Sequence, residues 1–322
     1  MTEIYDTIGR GKTDSLFSLV GEPVVVFGPR LDDAMATRAS ALVAIGKVVD
    51  SKAKRHPQLR SGGLDVVASP GGHSAWAVDV VSIEGQQLAV TAVLSNTDDL
   101  WALSAAAIAA QPSARQLKAE SAKDALVPPG GASAGKGDGR TGAAIEKFRK
   151  GLVDPQAWGD ELGARSDAVV VGPVAGQIAR GKQAIKKLWA ARLDKHVREA
   201  TTGEVTSAMT ADGQLIWLSV PVTRVADDED PLPLRIFAIY EKDAASWRLV
   251  ALHEAVALGE PGAGTPFKKI LPPAPPAEPK PEPKAEPAKA DTTEAKADPP
   301  PPPAKKAKKA KKRKKPKPAD AP

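Results

Sequence analysis

The chain has no cysteine in its 322 residues. That excludes a disulfide scaffold, a thiolate-ligated zinc site and a thiol nucleophile. Its four histidines, His56, His73, His196 and His253, are scattered, which argues against a histidine-built metal centre. No metal and no cofactor are expected. No apolar run approaches the ~20 residues of a membrane-spanning helix, so no membrane association is expected. The first residues, MTEIYDTIGRGKTDSLF, lack a basic segment followed by an apolar core and read as no signal peptide. Cytoplasmic placement is the default expectation. Tyrosine is scarce at two, and asparagine occurs once, at Asn96, against abundant Ala, Pro, Gly and Arg. That bias suggests a GC-rich bacterial genome.

Proline is abundant, and its distribution is uneven: of 30 prolines, 16 fall after residue 270. Charge is uneven too. The segment after 270 carries 14 Lys+Arg and 7 Asp+Glu, whereas the first 270 residues carry 31 and 32. The basic character therefore belongs to a tail, 271–322, attached to a nearly neutral body. From Pro272 onward the tail has almost nothing apolar beyond Ala and cannot bury enough surface to offset its chain entropy, so it reads as disordered. Near its end lie ten cations with no acid among them: Lys305, Lys306, Lys308, Lys309, Lys311, Lys312, Arg313, Lys314, Lys315 and Lys317. This run resembles the Lys/Ala/Pro-rich tails of linker histones and of some bacterial DNA-associated proteins. It suits a nucleic acid or another polyanion, held through phosphates without sequence choice. A tail that merely solubilises the body is the competing reading.

A second soft stretch, 116–143, reads as a linker. It holds Pro128-Pro129 and a glycine-rich run. Gly130 to Lys136 matches the front of a phosphate-binding loop. Gly137 stands where Ser or Thr should bind magnesium, and no strand precedes it, so the match is rejected.

On either side of this linker the chain repeats itself. VVVFGP (24–29) corresponds to AVVVGP (168–173), each followed by a helix-period stretch, 35–49 and 178–193. Three alternating runs follow in each copy: 73–83 with 214–225, 87–95 with 233–241, and 100–109 with 246–255. Trp76 aligns with Trp217 and Trp101 with Trp247, which reads as shared core. Pro221, inside a strand run, implies an edge or a bulge. Short turns between the long runs predict an α+β fold, helices packed on a curved antiparallel sheet, twice over.

The order of elements, with a last strand opening on Trp, resembles the nuclear transport factor 2-like superfamily in its SnoaL-like branch. Copy two carries the resemblance best, in Arg180-Gly181-Lys182 before a helix, in Asp212-Gly213 before the long strand, and in Trp247-Arg248-Leu249-Val250-Ala251-Leu252-His253-Glu254-Ala255. Ala255 and Ala251 depart from the family's usual Ser and His. The resemblance implies two cone-shaped α+β barrel-like units, a degenerate one at 1–115 and a fuller one at 144–262, paired through their outer sheet faces as an intramolecular pseudo-dimer. Val78, Val80, Val220 and Val222 are expected in that contact.

Candidate chemistry gathers in copy two. Alternation along the last strand puts His253 with Trp247, Leu249, Ala251 and Ala255, the face expected to line a cavity. Trp189, Trp217, Tyr240 and His253 are the candidate pocket residues. His253 is a candidate base, and the resemblance makes Tyr240 a candidate donor to an oxyanion. No acid lies within reach in the pattern: Glu241 and Glu254 fall at a strand end or on the opposite face. Copy one has Ala107 and Leu94 at the matching positions, with Asp79 its one odd polar residue. The expectation is a non-catalytic tandem binding or interaction module with a polyanion-binding tail. An isomerase- or cyclase-like enzyme acting on a small apolar substrate, and a nucleic-acid-associated protein, stand as alternatives.

Overall fold

Long alternating strands set the architecture, and the two halves build it twice. The computed structural model describes residues 1–28, 34–48, 59–83, 86–117, 139–201, 204–227, 229–244 and 246–256. All of them belong to one compact unit, Met1–Pro273. The first half runs α1 (Thr2–Gly9), β1 (Val20–Phe27), β2 (Ala34–Met35), α2 (Arg38–Val48), β3 (Leu59–Ser61) and β4 (Asp65–Ala68). It ends in three long strands, β5 (Ser74–Ile83), β6 (Gln86–Thr97) and β7 (Leu100–Ala110). The second runs α3 (Gly142–Val153), α4 (Pro155–Leu162), β8 (Val169–Val171), β9 (Ile178–Arg180), α5 (Gly181–Asp194), β10 (Arg198–Thr201) and β11 (Thr206–Met209). Its long strands are β12 (Leu215–Val225), β13 (Leu232–Asp243) and β14 (Ser246–Val256).

Each half makes one seven-stranded sheet. The first has the order β2-β1-β7-β6-β5-β3 with β4 also on β5. The second has β10-β12-β13-β14-β8-β9 with β11 also on β12. The long meanders are antiparallel, as the short turns require. The sheets are nonetheless mixed, because β1 pairs parallel with β7 and β8 parallel with β14. The short-turn reasoning holds only for consecutive strands. Most of each half lies between these two partners, ample chain for a parallel crossover.

Local chemistry explains two departures from the expected elements. Ile178–Arg180 is a strand, with Ala179 opposite Val170, and α5 starts only at Gly181. Gly181 has φ +69°, and a Cβ there would stand 2.9 Å from the Ser166 carbonyl oxygen, so the turn into the helix needs glycine. Pro221 lies where the neighbour of β12 changes: β11 pairs up to Ser219 and β10 takes over at Val222. The missing amide hydrogen falls in that gap.

Burial follows the pleat. One face of the second sheet packs under α3, α4 and α5, around Phe148, Trp158, Ile185, Trp189, Leu218 and Tyr240. The corresponding face of the first sheet packs under α1 and α2 with smaller side chains, among them Ala75, Ala77, Ala92 and Ala106. The remaining faces of both sheets share a third cluster that joins Val25, Phe27, Trp76 and Val78 to Val171, Trp217, Phe237 and Ile239. Val78 lies in this seam; Val220 and Val222 lie in the helix-covered core instead. Trp76 and Trp217 are both buried in the seam, as matched core positions should be. The other aligned pair splits: Trp247 packs on the helix-covered core, while Trp101 is 41% exposed.

Candidate functional site

The position of each candidate side chain turns on one irregularity in β14. Ile239 is opposite Ala251, yet Tyr240 is opposite Leu249, so Val250 is an extra residue. A bulge of this kind switches which face the following residues occupy. Leu249 stays with Tyr240 on the helix-covered face. Ala251 and His253 join Phe237 and Val171 on the seam face. Simple alternation placed His253 with Leu249, and the bulge separates them. Of the four candidate pocket residues, Tyr240 and Trp189 therefore lie on one side of the sheet, and Trp217 and His253 on the other.

The seam is aromatic at its centre and polar at its rim. Phe27 of the first half meets Trp217 and Phe237 edge-on, with ring centroids at 6.4 and 6.3 Å, and these two stack on each other at 5.9 Å. Arg235 lies 4.6 Å over the Phe27 ring. At the rim Ser74 donates to Asp212 at 2.7 Å, Gln111 donates to the Gly172 carbonyl at 2.9 Å, and Arg180 pairs with Asp65. Burial works to raise the Asp212 carboxyl, but hydroxyls from Thr210 and Ser74 hold it below the usual range.

His253 is fully buried in this setting, and neither ring nitrogen has a hydrogen-bond partner. Burial pushes the imidazole down to about 4, against the opposing charge of Glu254. At neutral pH it is an uncharged ring sealed between sheets, without the partner acid or the solvent access that proton transfer needs.

Glu254, which alternation puts on the face opposite His253, lies on the helix-covered side; what alternation did not show is its partners. It is fully buried and ion-paired at 2.5 Å to both Arg192 of α5 and Arg224 of β12. Arg224 also meets Glu199 of β10 at 2.9 Å, and Arg192 lies 4.6 Å over the Trp189 ring. Burial works to raise Glu254, but the two guanidinium groups outweigh it and hold the carboxyl at about 2. Glu199 goes the other way, raised by burial and by Glu254 in spite of Arg224. Two cations and two carboxylates thus neutralise one another inside the half. Arg192, on the same helix as Lys182, Lys186 and Lys187, is half-buried in this cluster. The available signal was alternation: Arg224 follows Val222, and Glu254 lies between Leu252 and Val256, at positions where an apolar face should continue.

Deeper on the same side, the Tyr240 hydroxyl is buried beside the Trp158 indole, which acts on its oxygen, and no described group accepts the hydroxyl proton. Burial, then Glu161, raises the tyrosine well above its ordinary value. The Trp158 ring fills the space a side chain at Gly151 would take, since a Cβ there would stand 1.8 Å from its indole nitrogen. Phe148 packs at 5.1 Å from the same ring. The first half is not chemically empty either. Asp79 is buried on the helix-covered face and accepts from Ser61 at 3.0 Å. Tyr5 of α1 is raised by burial and by Asp79.

Among the described residues no cluster of His, Cys, Asp or Glu could hold a metal ion, and no helix is long and apolar enough to cross a membrane. The tail cations Lys305 to Lys317 and most of the linker lie outside the described residues.

No known family model matches the sequence. No curated protein matches it either. Among solved structures, the chain is similar to an uncharacterised protein with a cystatin-like fold from Caulobacter vibrioides, at 16% identity over 36% of this chain and 89% of that one, with a TM-score of 0.31. It is also similar to a protein described as a dehydratase of the nuclear transport factor 2-like family from Streptomyces avermitilis, at 19% identity over 34% of this chain and 88% of that one, TM-score 0.30. Nuclear transport factor 2 from Cryptosporidium parvum is 13% identical over 34% of this chain and 87% of that one, TM-score 0.28.

Proposed function

We propose that this chain is a non-catalytic tandem binding module of the nuclear transport factor 2-like kind, carrying a polyanion-binding arm at 271–322. On this reading 1–115 and 144–262 are two domains joined by 116–143 and paired as an intramolecular pseudo-dimer. The repeated strand order and the apolar cluster drawn from both sheets support that pairing. One observation carries the non-catalytic part. His253 and Tyr240 are on opposite faces of the β13–β14 pair, and the nearest buried acid, Glu254, is neutralised by two arginines. An acid–base mechanism needs such groups convergent on one substrate atom.

The arm is tested by a salt titration on unrelated DNA duplexes. If about six of its cations meet phosphates, log affinity falls with log salt at a slope near −5. Truncation after Pro273 is expected to abolish binding and leave the melting temperature unchanged. Undiminished binding by the truncated form, or no binding by either form, overturns the proposal for the arm. A second reading, a small apolar ligand with one hydrogen-bond acceptor inside the second domain, is favoured by the buried Tyr240 hydroxyl, whose proton has no acceptor among the described residues. Tyr240→Phe separates the two, because it weakens such a ligand and leaves DNA binding untouched.

A further inference from the structure

The seam between the sheets buries polar atoms that it leaves unsatisfied. Thr91 is opposite Val78 and Ala107, both in the seam cluster, and so shares their face. It is fully buried, and its hydroxyl has no hydrogen-bond partner. The indole N–H of Trp76, in the same cluster, has none either. With the two ring nitrogens of His253, the seam thus holds four buried polar atoms that gave up water and gained nothing in return. His253 is also at the contact between the halves, because its strand β14 runs close to β7 of the first.

The charged groups around the seam do not compensate the ring. Arg235, diagonal to His253 on β13, is a cation and lies over Phe27. β7 and β8 carry no charged residue. Arg180 pairs with Asp65, Ser69 and Ser74 bond to Asp212, and Glu241, opposite Leu215, pairs with Arg165. Glu254 is on the other side of the sheet.

We propose that the seam is an acid-operated latch: a proton on His253 parts the two sheets while each half keeps its own helix-covered core. The proposal rests on the two-domain reading above. An imidazolium needs water or a facing acid, and parting the sheets supplies water at the smallest structural cost. β14 stays hydrogen-bonded to β13 and β8 within its own half. Thr91 and Trp76 gain water in the same movement. Global unfolding would give up both helix-covered cores as well. The window follows from the ring, which ordinarily titrates at 6.5 and in the closed seam at about 4, so opening becomes easier as the pH falls between those values. Asp212 acts lower: its carboxyl is held below 3.8, so its rim bonds persist until the pH drops beneath that.

The absence of cysteine makes the test direct. Single cysteines are placed in the full chain at three fully buried valines: Val93→Cys in the seam, Val24→Cys in the helix-covered core of the first half, and Val170→Cys in that of the second. Each is labelled with dithiodipyridine at pH 7 and pH 4.5, and each rate is divided by that of the same variant unfolded in urea at the same pH. The seam cysteine is expected to react at least about tenfold faster than the other two. Its rate is expected to rise about 50-fold between pH 7 and pH 4.5, and His253→Leu is expected to remove that rise. The reporter is in the half that does not carry His253, so a rise there reads separation rather than local fraying. Equal rates at the three positions overturn the latch together with the two-domain reading. A faster seam rate that does not rise in acid, or whose rise survives His253→Leu, overturns the latch alone.

Discussion

Acidification isolates the cost of burying His253. Its imidazole has an ordinary value of 6.5 and is pushed down to about 4 in the folded protein. Above pH 6.5 the ring is neutral whether the chain is folded or not, and it contributes no pH dependence. Below 6.5 the unfolded chain takes the proton and the folded chain does not. Stability therefore falls as the pH drops from 6.5 toward 4, and the loss levels off beneath that. At about 1.4 kcal/mol per pKa unit, the full loss is about 3 kcal/mol, of which about 2 kcal/mol falls between pH 7 and pH 4.5. Carboxylates also titrate in this range, so the measurement is a difference. Urea unfolding of the wild type and of His253→Leu is followed at both pH values by fluorescence, with Trp76 and Trp217 in the seam as internal reporters. The leucine variant removes two ring nitrogens that have no partners. It is expected to match or exceed the wild type at pH 7 and to lose about 2 kcal/mol less on going to pH 4.5. Parallel losses in the two proteins would show that the ring is solvated or hydrogen-bonded, and the reasoning would fail.

Glu254→Gln keeps the shape of the side chain but leaves Arg192 and Arg224 with Glu199 as their one remaining carboxylate in the cluster. It is expected to destabilise by about 3 kcal/mol in urea unfolding at pH 7, and a change under 1 kcal/mol would mean the cluster is solvated. Gly151→Ala places a Cβ against the buried Trp158 ring and is expected to lower stability by about 1–3 kcal/mol. Gly142→Ala, where a Cβ meets nothing within 4 Å, is expected to leave the melting temperature unchanged. Equal melting temperatures for the two alanine variants would refute the Gly151 packing.

The long strands were legible because they alternate over nine or more residues between clear turn signals, and β5, β6, β12 and β13 lie within two residues of their expected bounds. Chain composition also separated the basic tail from the nearly neutral body. The short strands β2 to β4 and β9 to β11 were not read in this way, since two to four residues carry no period. Their existence depends on a long neighbour to pair with.

The candidate site was least legible where a single residue decided it. Sequence alternation can say that His253 and Glu254 face opposite ways, and it did. It cannot say which way, because the extra residue at Val250 exists only in the pairing of β14 with β13. That bulge puts His253 in the seam and Glu254 under the helices. Arg192 and Arg224 then become its partners through the packing of α5 and the place of β12 in the sheet, contacts that span 62 and 30 positions of sequence. Trp101 shows the same limit. It aligns with Trp247 and reads as core, yet a tryptophan is buried only if something covers it. In the second half α3 and α4 do so; in the first, α1 and one 3-10 turn at Thr13–Leu16 precede β1 and leave Trp101 exposed. Residue type and period are local properties of a chain, whereas register and cover belong to whichever segments fold against it.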